Sequence, residues 1–234
     1  MPNSSLEPDF GPKTIISECD PKRERLDNLV INIELTLTSI IQGVALYFLC
    51  DNSAQLLIHL RLDQLVYVLN ALLLIFLFWS RSIGHTLTVI RWPLDFSHNF
   101  FYFSAALVES VAFTHIADPA SWFALLALFS AIVWLIFVVD TRLIKRAGRR
   151  SAELSRELLD CLHRDQQQNI RWIVPLLFCF HLGAAITILC FPHLFIAGQL
   201  HVLLGGVQFC GLIGYLIYLL RFLARLGSMI MPES

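Results

Sequence analysis

Four polar side chains near the N-terminus, Asp27, Glu34, Thr38 and Gln42, are separated by seven, four and four residues. At about 100° per residue these steps fall within one narrow helix face. The spacing thus predicts a line of carboxylate, hydroxyl and amide groups along an otherwise apolar segment. Downstream, His98, Tyr102, Ala105 and Glu109 share a face by the same rule. An ionisable side chain inside an apolar span is costly and is kept with a partner or a water path. The chemistry open to these groups is ion handling. Glu34 would act as an electrostatic filter for a monovalent cation, Thr38 and Gln42 as polar lining, and His98 and Glu109 as supporting charge. The competing reading is structural, with each acid protonated or paired to a histidine within a helix bundle.

Asn70, His181 and Gln208 fall near the middle of other apolar stretches. Counted by depth, they form with Gln42 and Glu109 a polar layer; taken singly, each is an ordinary interhelical hydrogen-bonding group. Gly206, Cys210 and Gly214, with Gly183 and Thr187, are spaced by four and predict close contact between the last two spans. His59, His115, Asp118 and His193 share one side but lack any metal-ligand spacing. The six cysteines show no CxxC pair, and only Cys50 and Cys190 sit at outer helix ends where a bridge is conceivable. Clustered histidines, HExxH, GxSxG and phosphate-cradling glycine loops are all missing from the sequence. The sequence therefore predicts neither an enzyme nor a cofactor.

The elements that would position these groups are six apolar stretches at about 28–50, 62–80, 97–117, 120–140, 171–191 and 199–220. Each is long enough, at 1.5 Å per residue, to cross a hydrocarbon core of roughly 30 Å. Apolar residues make up 56% and charged residues 15% of the chain, with mean hydropathy +0.66, which excludes an ordinary soluble domain. Six spans place every Lys and Arg except Arg61 on one side, from Lys13 through the run at 142–164 to Arg225. Basic residues stay cytoplasmic, so the reading is an all-α polytopic membrane protein, six spans, N-in and C-in. The organisation expected is a cytoplasmic tail over 1–27, a transmembrane domain over 28–226 and a short tail over 227–234. Residues 1–27 hold no short apolar core, so the first span is expected to serve as an uncleaved insertion signal. A bacterial inner membrane is the expected location. Net charge of −1 gives no reason to invoke nucleic acid.

Two connections are more than loops. Ile83, Leu87 and Ile90 extend the second helix past the membrane until Pro93. Leu143, Ala147, Leu154, Leu158 and Cys161 predict an amphipathic cytoplasmic helix over 141–169, with Arg146, Arg149 and Arg150 on its other face. That helix either lies on anionic lipid, or packs on a neighbouring subunit or on the 81–92 extension. It supplies a second functional reading: a non-transporting scaffold or accessory subunit binding a cytoplasmic protein partner.

Phe78-Trp79, followed by His85 and by Asn99, and Arg25 in the first helix carry a resemblance in layout over residues 25–140. The chain resembles the pore-loop-free potassium channel family of endolysosomes and bacteria. Leu29-Val30-Ile31 stands where that family has Phe-Ser-Asp after the arginine. The resemblance implies six spans per unit, a pore lined by the first helix and assembly as a homo-oligomer, tetrameric in the bacterial form.

Overall fold

The computed structural model describes residues 21–58, 62–88, 96–150 and 156–230. Among them the chain is all-α. Its α-helices are α1 (Pro21–Ile58), α2 (Leu65–Thr88), α3 (Phe96–Thr114), α4 (Pro119–Arg150), α5 (Arg156–Gln168), α6 (Val174–Cys190) and α7 (Leu200–Ile230). Four helical stretches are long and apolar enough to cross a membrane: Leu65–Gly84, Pro119–Lys145, Arg156–Cys190 and Leu200–Met229. The helices α1 and α3 are not among these four. Both carry the polar lines described above, Glu34 to Gln42 and His98 to Glu109. A six-span count therefore rests on more than length and apolarity.

Local chemistry explains the helix ends. Asp118 caps α4: its Oδ1 accepts the Ala120 N–H at 3.2 Å, and Pro119 takes the first helical position, where no N–H is needed. The turn at 115–118 makes α3 and α4 an antiparallel hairpin. Between α5 and α6 the backbone widens into a π-helical turn over Asn169–Ile173, with the Val174 N–H reaching Asn169 O. The cause is Pro175, which has no N–H to donate in the first turn of α6. The carbonyl of Ile170, which a residue 175 N–H would bond in that register, accepts the Trp134 indole N–H instead, at 3.1 Å. A second π-helical turn, His193–Ala197, joins α6 to α7 with Leu194 and Ile196 outward and Phe195 against the core.

The long helices pack in the order α7, α2, α1, α3, α4, α6. The aromatic core lies at one end, where Tyr67, Phe113, Trp122 and Phe123 are fully buried. Trp122 meets Tyr67 edge-on at 5.6 Å and stacks on Phe113 at 6.2 Å. Outward faces carry large apolar side chains, among them Leu69, Phe76, Leu107, Leu189 and Leu203. In water such a surface would aggregate; in lipid it is solvated.

Over the stretch 141–169, α4 continues unbroken to Arg150, and α5 begins at Arg156 and runs on into α6. Leu158, Leu159 and Leu162 pack on Ile144, Phe222 and Leu226, so the apolar side of α5 is covered by the ends of α4 and α7 of its own chain. The spacing leaves the close contact of α6 and α7 within a subunit or between subunits; among the described residues α6 packs mainly on α4, and α7 on α2. Gly183, Gly206 and Gly214 have nothing within 4 Å of where a Cβ would stand, and Cys210 is exposed. The tight glycine of α7 is Gly205, whose added Cβ would fall 2.8 Å from Cγ1 of Val66. Gly205→Ala is therefore expected to cost about 1–3 kcal/mol through overpacking. Adding Val66→Ala should restore most of that loss, as read from thermal unfolding in detergent.

Candidate functional site

Two of the three helices that meet at the site, α1 and α3, carry the polar lines; α2 completes it. The 100° rule that aligned Thr38 with Gln42 turns both inward, where they are 8% and 5% exposed. On the facing helix Tyr102 is 6% and Glu109 0% exposed. The Gln42 amide Nε2 lies 3.5 Å from Glu109 Oε2 and 3.5 Å from the Tyr102 hydroxyl. Both distances are at the outer limit of a hydrogen bond. Thr38, Ser82 of α2, His98 and Tyr102 line one small cavity. Among the described residues Glu109 Oε1 and Gln42 Oε1 have no hydrogen-bond partner. This loosely held polar tier brings Thr38, Gln42 and Glu109 together.

His98 enters the same tier by stacking on Tyr102 at 6.5 Å, but its hydrogen bond goes elsewhere. Its Nδ1 meets Asp140 Oδ1 at 2.7 Å, with both side chains nearly buried. Glu34 lies on α1 one turn before Thr38, and its side chain is outside the described residues. The same holds for Arg146, Arg149 and Arg150 near the end of α4.

Asn70, His181 and Gln208 do not join this tier. Asn70 donates to Gly205 O at 2.9 Å, His181 Nδ1 meets Ser130 Oγ at 3.1 Å, and Gln208 accepts the Trp122 indole N–H at 3.1 Å. Each ties two helices together at a separate point. Among the described residues no three His, Cys, Asp or Glu side chains gather as a metal site. His59 lies outside them, and the sulfurs of Cys50 and Cys190 are free.

A second cluster was not singled out from the sequence. Arg81 of α2 forms an ion pair with Asp165 of α5, with side chains 10% and 3% exposed. A second nitrogen of the guanidinium donates to Asp165 Oδ1 at 3.3 Å, and its plane lies over Phe137 at 5.0 Å and Phe222 at 5.4 Å. Asp165 also accepts the Tyr218 hydroxyl at 2.7 Å, while Tyr215 donates to Asn169 at 3.1 Å. Here α5, standing on the π-helical turn, is bolted to α2 and α7. The signal available beforehand was Arg81 itself, an arginine directly after the apolar stretch 62–80.

Comparison of the chain with family models, curated proteins and solved structures finds no match. The class of the protein follows from its helices. Four stretches able to cross a bilayer, with apolar side chains outward, define an all-α integral membrane protein.

Proposed function

We propose that the protein is a six-span permeation protein that conducts protons or monovalent cations along a polar path inside the protomer, between α1 and α3. Both termini lie on the arginine-rich side. The six-span count draws support from the outward faces of the two helices outside the apolar four. Ile33, Ile40 and Val44 on α1 and Phe100, Phe103 and Leu107 on α3 are exposed, as lipid-facing side chains are. The observation that carries the function is Glu109: a carboxyl group with no exposed surface, in the middle of an apolar helix, held among the described residues by a single amide at 3.5 Å. A group kept for structure alone would be expected to have both oxygens satisfied. The path would pass from His98 and Asp140 by way of Tyr102 to Gln42 and Glu109. It runs through the bundle interior, because the polar side of α1 faces its own chain. A potassium-channel-like pore on the axis of a homo-oligomer would need that side turned outward.

The test is cation flux, with potassium, sodium and protons compared, in liposomes containing the purified protein. Glu34→Gln and Glu109→Gln are measured alongside. Flux is expected to fall by about tenfold or more in Glu109→Gln, the equivalent of ~1.4 kcal/mol at the limiting barrier. Unchanged flux in an assembled Glu109→Gln protein would overturn the path. No flux from folded wild-type protein would leave the scaffold reading, in which the exposed face of α5, with Arg156, Glu157 and Asp160, meets a cytoplasmic partner.

A further inference from the structure

Beside the polar tier, α2, α3, α4, α6 and α7 enclose a half-open cavity of about 100 Å³. One end is apolar, with Leu74, Phe129, Leu177 and Leu212; the other carries Arg81, Tyr102, His98 and Asp140. Seven residues separate Leu74 from Arg81 on α2, so the two ends lie roughly 10 Å apart along the helix. The side walls are stiff: Phe78 stacks on Tyr102 at 4.8 Å and meets Phe129 edge-on at 5.5 Å. An apolar cavity of about 150 Å³ stays dry and takes up benzene. This one is somewhat smaller, so it accepts a small ring or a short length of chain and leaves the rest of a ligand at the mouth.

The charges at the polar end decide what kind of ligand fits. Arg81 is matched by Asp165, and Asp140 by His98. The Tyr215 hydroxyl of α7 is engaged by Asn169. Among the described residues each charged group at the mouth therefore has a partner already, which leaves less to attract an ionic head group. One strong donor is left over. Arg81 is 9% exposed, and its Nε–H has no acceptor among the described residues. A buried donor without a partner is costly, and a ligand oxygen would recover that cost. Pockets of this build, apolar with a few fixed polar groups, orient their ligands by those groups.

We propose that the cavity binds a neutral amphiphile, its ring or chain between Phe78, Phe129 and Leu177 and its hydroxyl or carbonyl oxygen on Arg81 Nε. This site borders the proposed path and shares His98, Asp140 and Tyr102 with it, but its occupancy needs no flux. The experiment uses the full chain in detergent and an octanol carrying a photoactivatable diazirine, with adducts located by mass spectrometry. Adducts are expected on Val133 and Leu177, and decanol should reduce them fivefold or more, while decanoate and decylammonium should not. Val133→Trp, which fills the cavity, should abolish these adducts and leave those on the lipid-facing Leu107 and Leu189 unchanged. Helicity and elution volume report whether that variant is folded, and Leu177→Trp serves as the second filling variant. Repeating the labelling in phosphatidylcholine nanodiscs separates the two sources of such an oxygen. Lost labelling there assigns the site to the ester of a bilayer lipid, and retained labelling to a free solute. Adducts that survive both filling variants, or that all three competitors reduce equally, would overturn the proposal.

Discussion

Arg81→Leu is expected to destabilise the protein by about 3–5 kcal/mol, the usual cost of breaking a buried ion pair by removing one partner. The cost comes from what is left behind. Asp165 has 3% of its side chain exposed, and without the guanidinium its carboxylate would keep only the Tyr218 hydroxyl at 2.7 Å and the Asn169 amide at 3.4 Å. Neutral donors do not offset a buried charge. Asp165→Leu should be comparably harmful, softened by the two phenyl rings, which still face the stranded guanidinium at 5.0 and 5.4 Å. The double variant Arg81→Leu/Asp165→Leu removes both charges and should lie well above either single variant, because buried pairs replaced by apolar groups are often nearly neutral. Thermal unfolding of the three variants in detergent measures the coupling. Losses that simply add would mean the pair does not interact energetically. The loss should also appear locally, as faster proteolysis around α5, whose hold on α2 runs through this pair.

Much of the architecture was legible because it is local. Apolar stretches and basic connections mark helices and their ends, and Asp118-Pro119 marks where the chain must turn. The convergence of Gln42 with Glu109 was legible for the same reason. Each obeys the helical angle within its own segment, so two polar faces in an apolar setting had to find each other or something equivalent. The Arg81–Asp165 pair was not legible. Its members stand 84 residues apart, and each had a sufficient local explanation, Arg81 as a topology signal and Asp165 as one acid in a mixed-charge helix. The glycines show how narrow the margin is. The small-residue stripe on α7 begins at Gly206, yet the residue that meets α2 is Gly205, one position and about 100° away. Spacing names a face; only the packing partner decides which face is used.

The same distinction bears on Glu109, where a structural role and a functional one predict opposite effects on stability. Glu109→Gln keeps the shape of the side chain and an oxygen for Gln42, and removes the ionisable group from a site with no exposure. If the acid serves permeation, the protein carries it at a cost, and its removal should raise stability by about 1 kcal/mol while flux falls. Glu109→Leu goes further. It leaves Gln42 Nε2 only the Tyr102 hydroxyl at 3.5 Å, in an amide whose Oε1 already lacks a partner, and should cost about 1–3 kcal/mol. The informative result is therefore the order of the three proteins. Gln above Glu above Leu in unfolding temperature, with flux only in the Glu form, separates an acid retained for transport from one retained for packing. A Gln form that melts below wild type and still conducts would make Glu109 a structural group, and the path would have to run elsewhere.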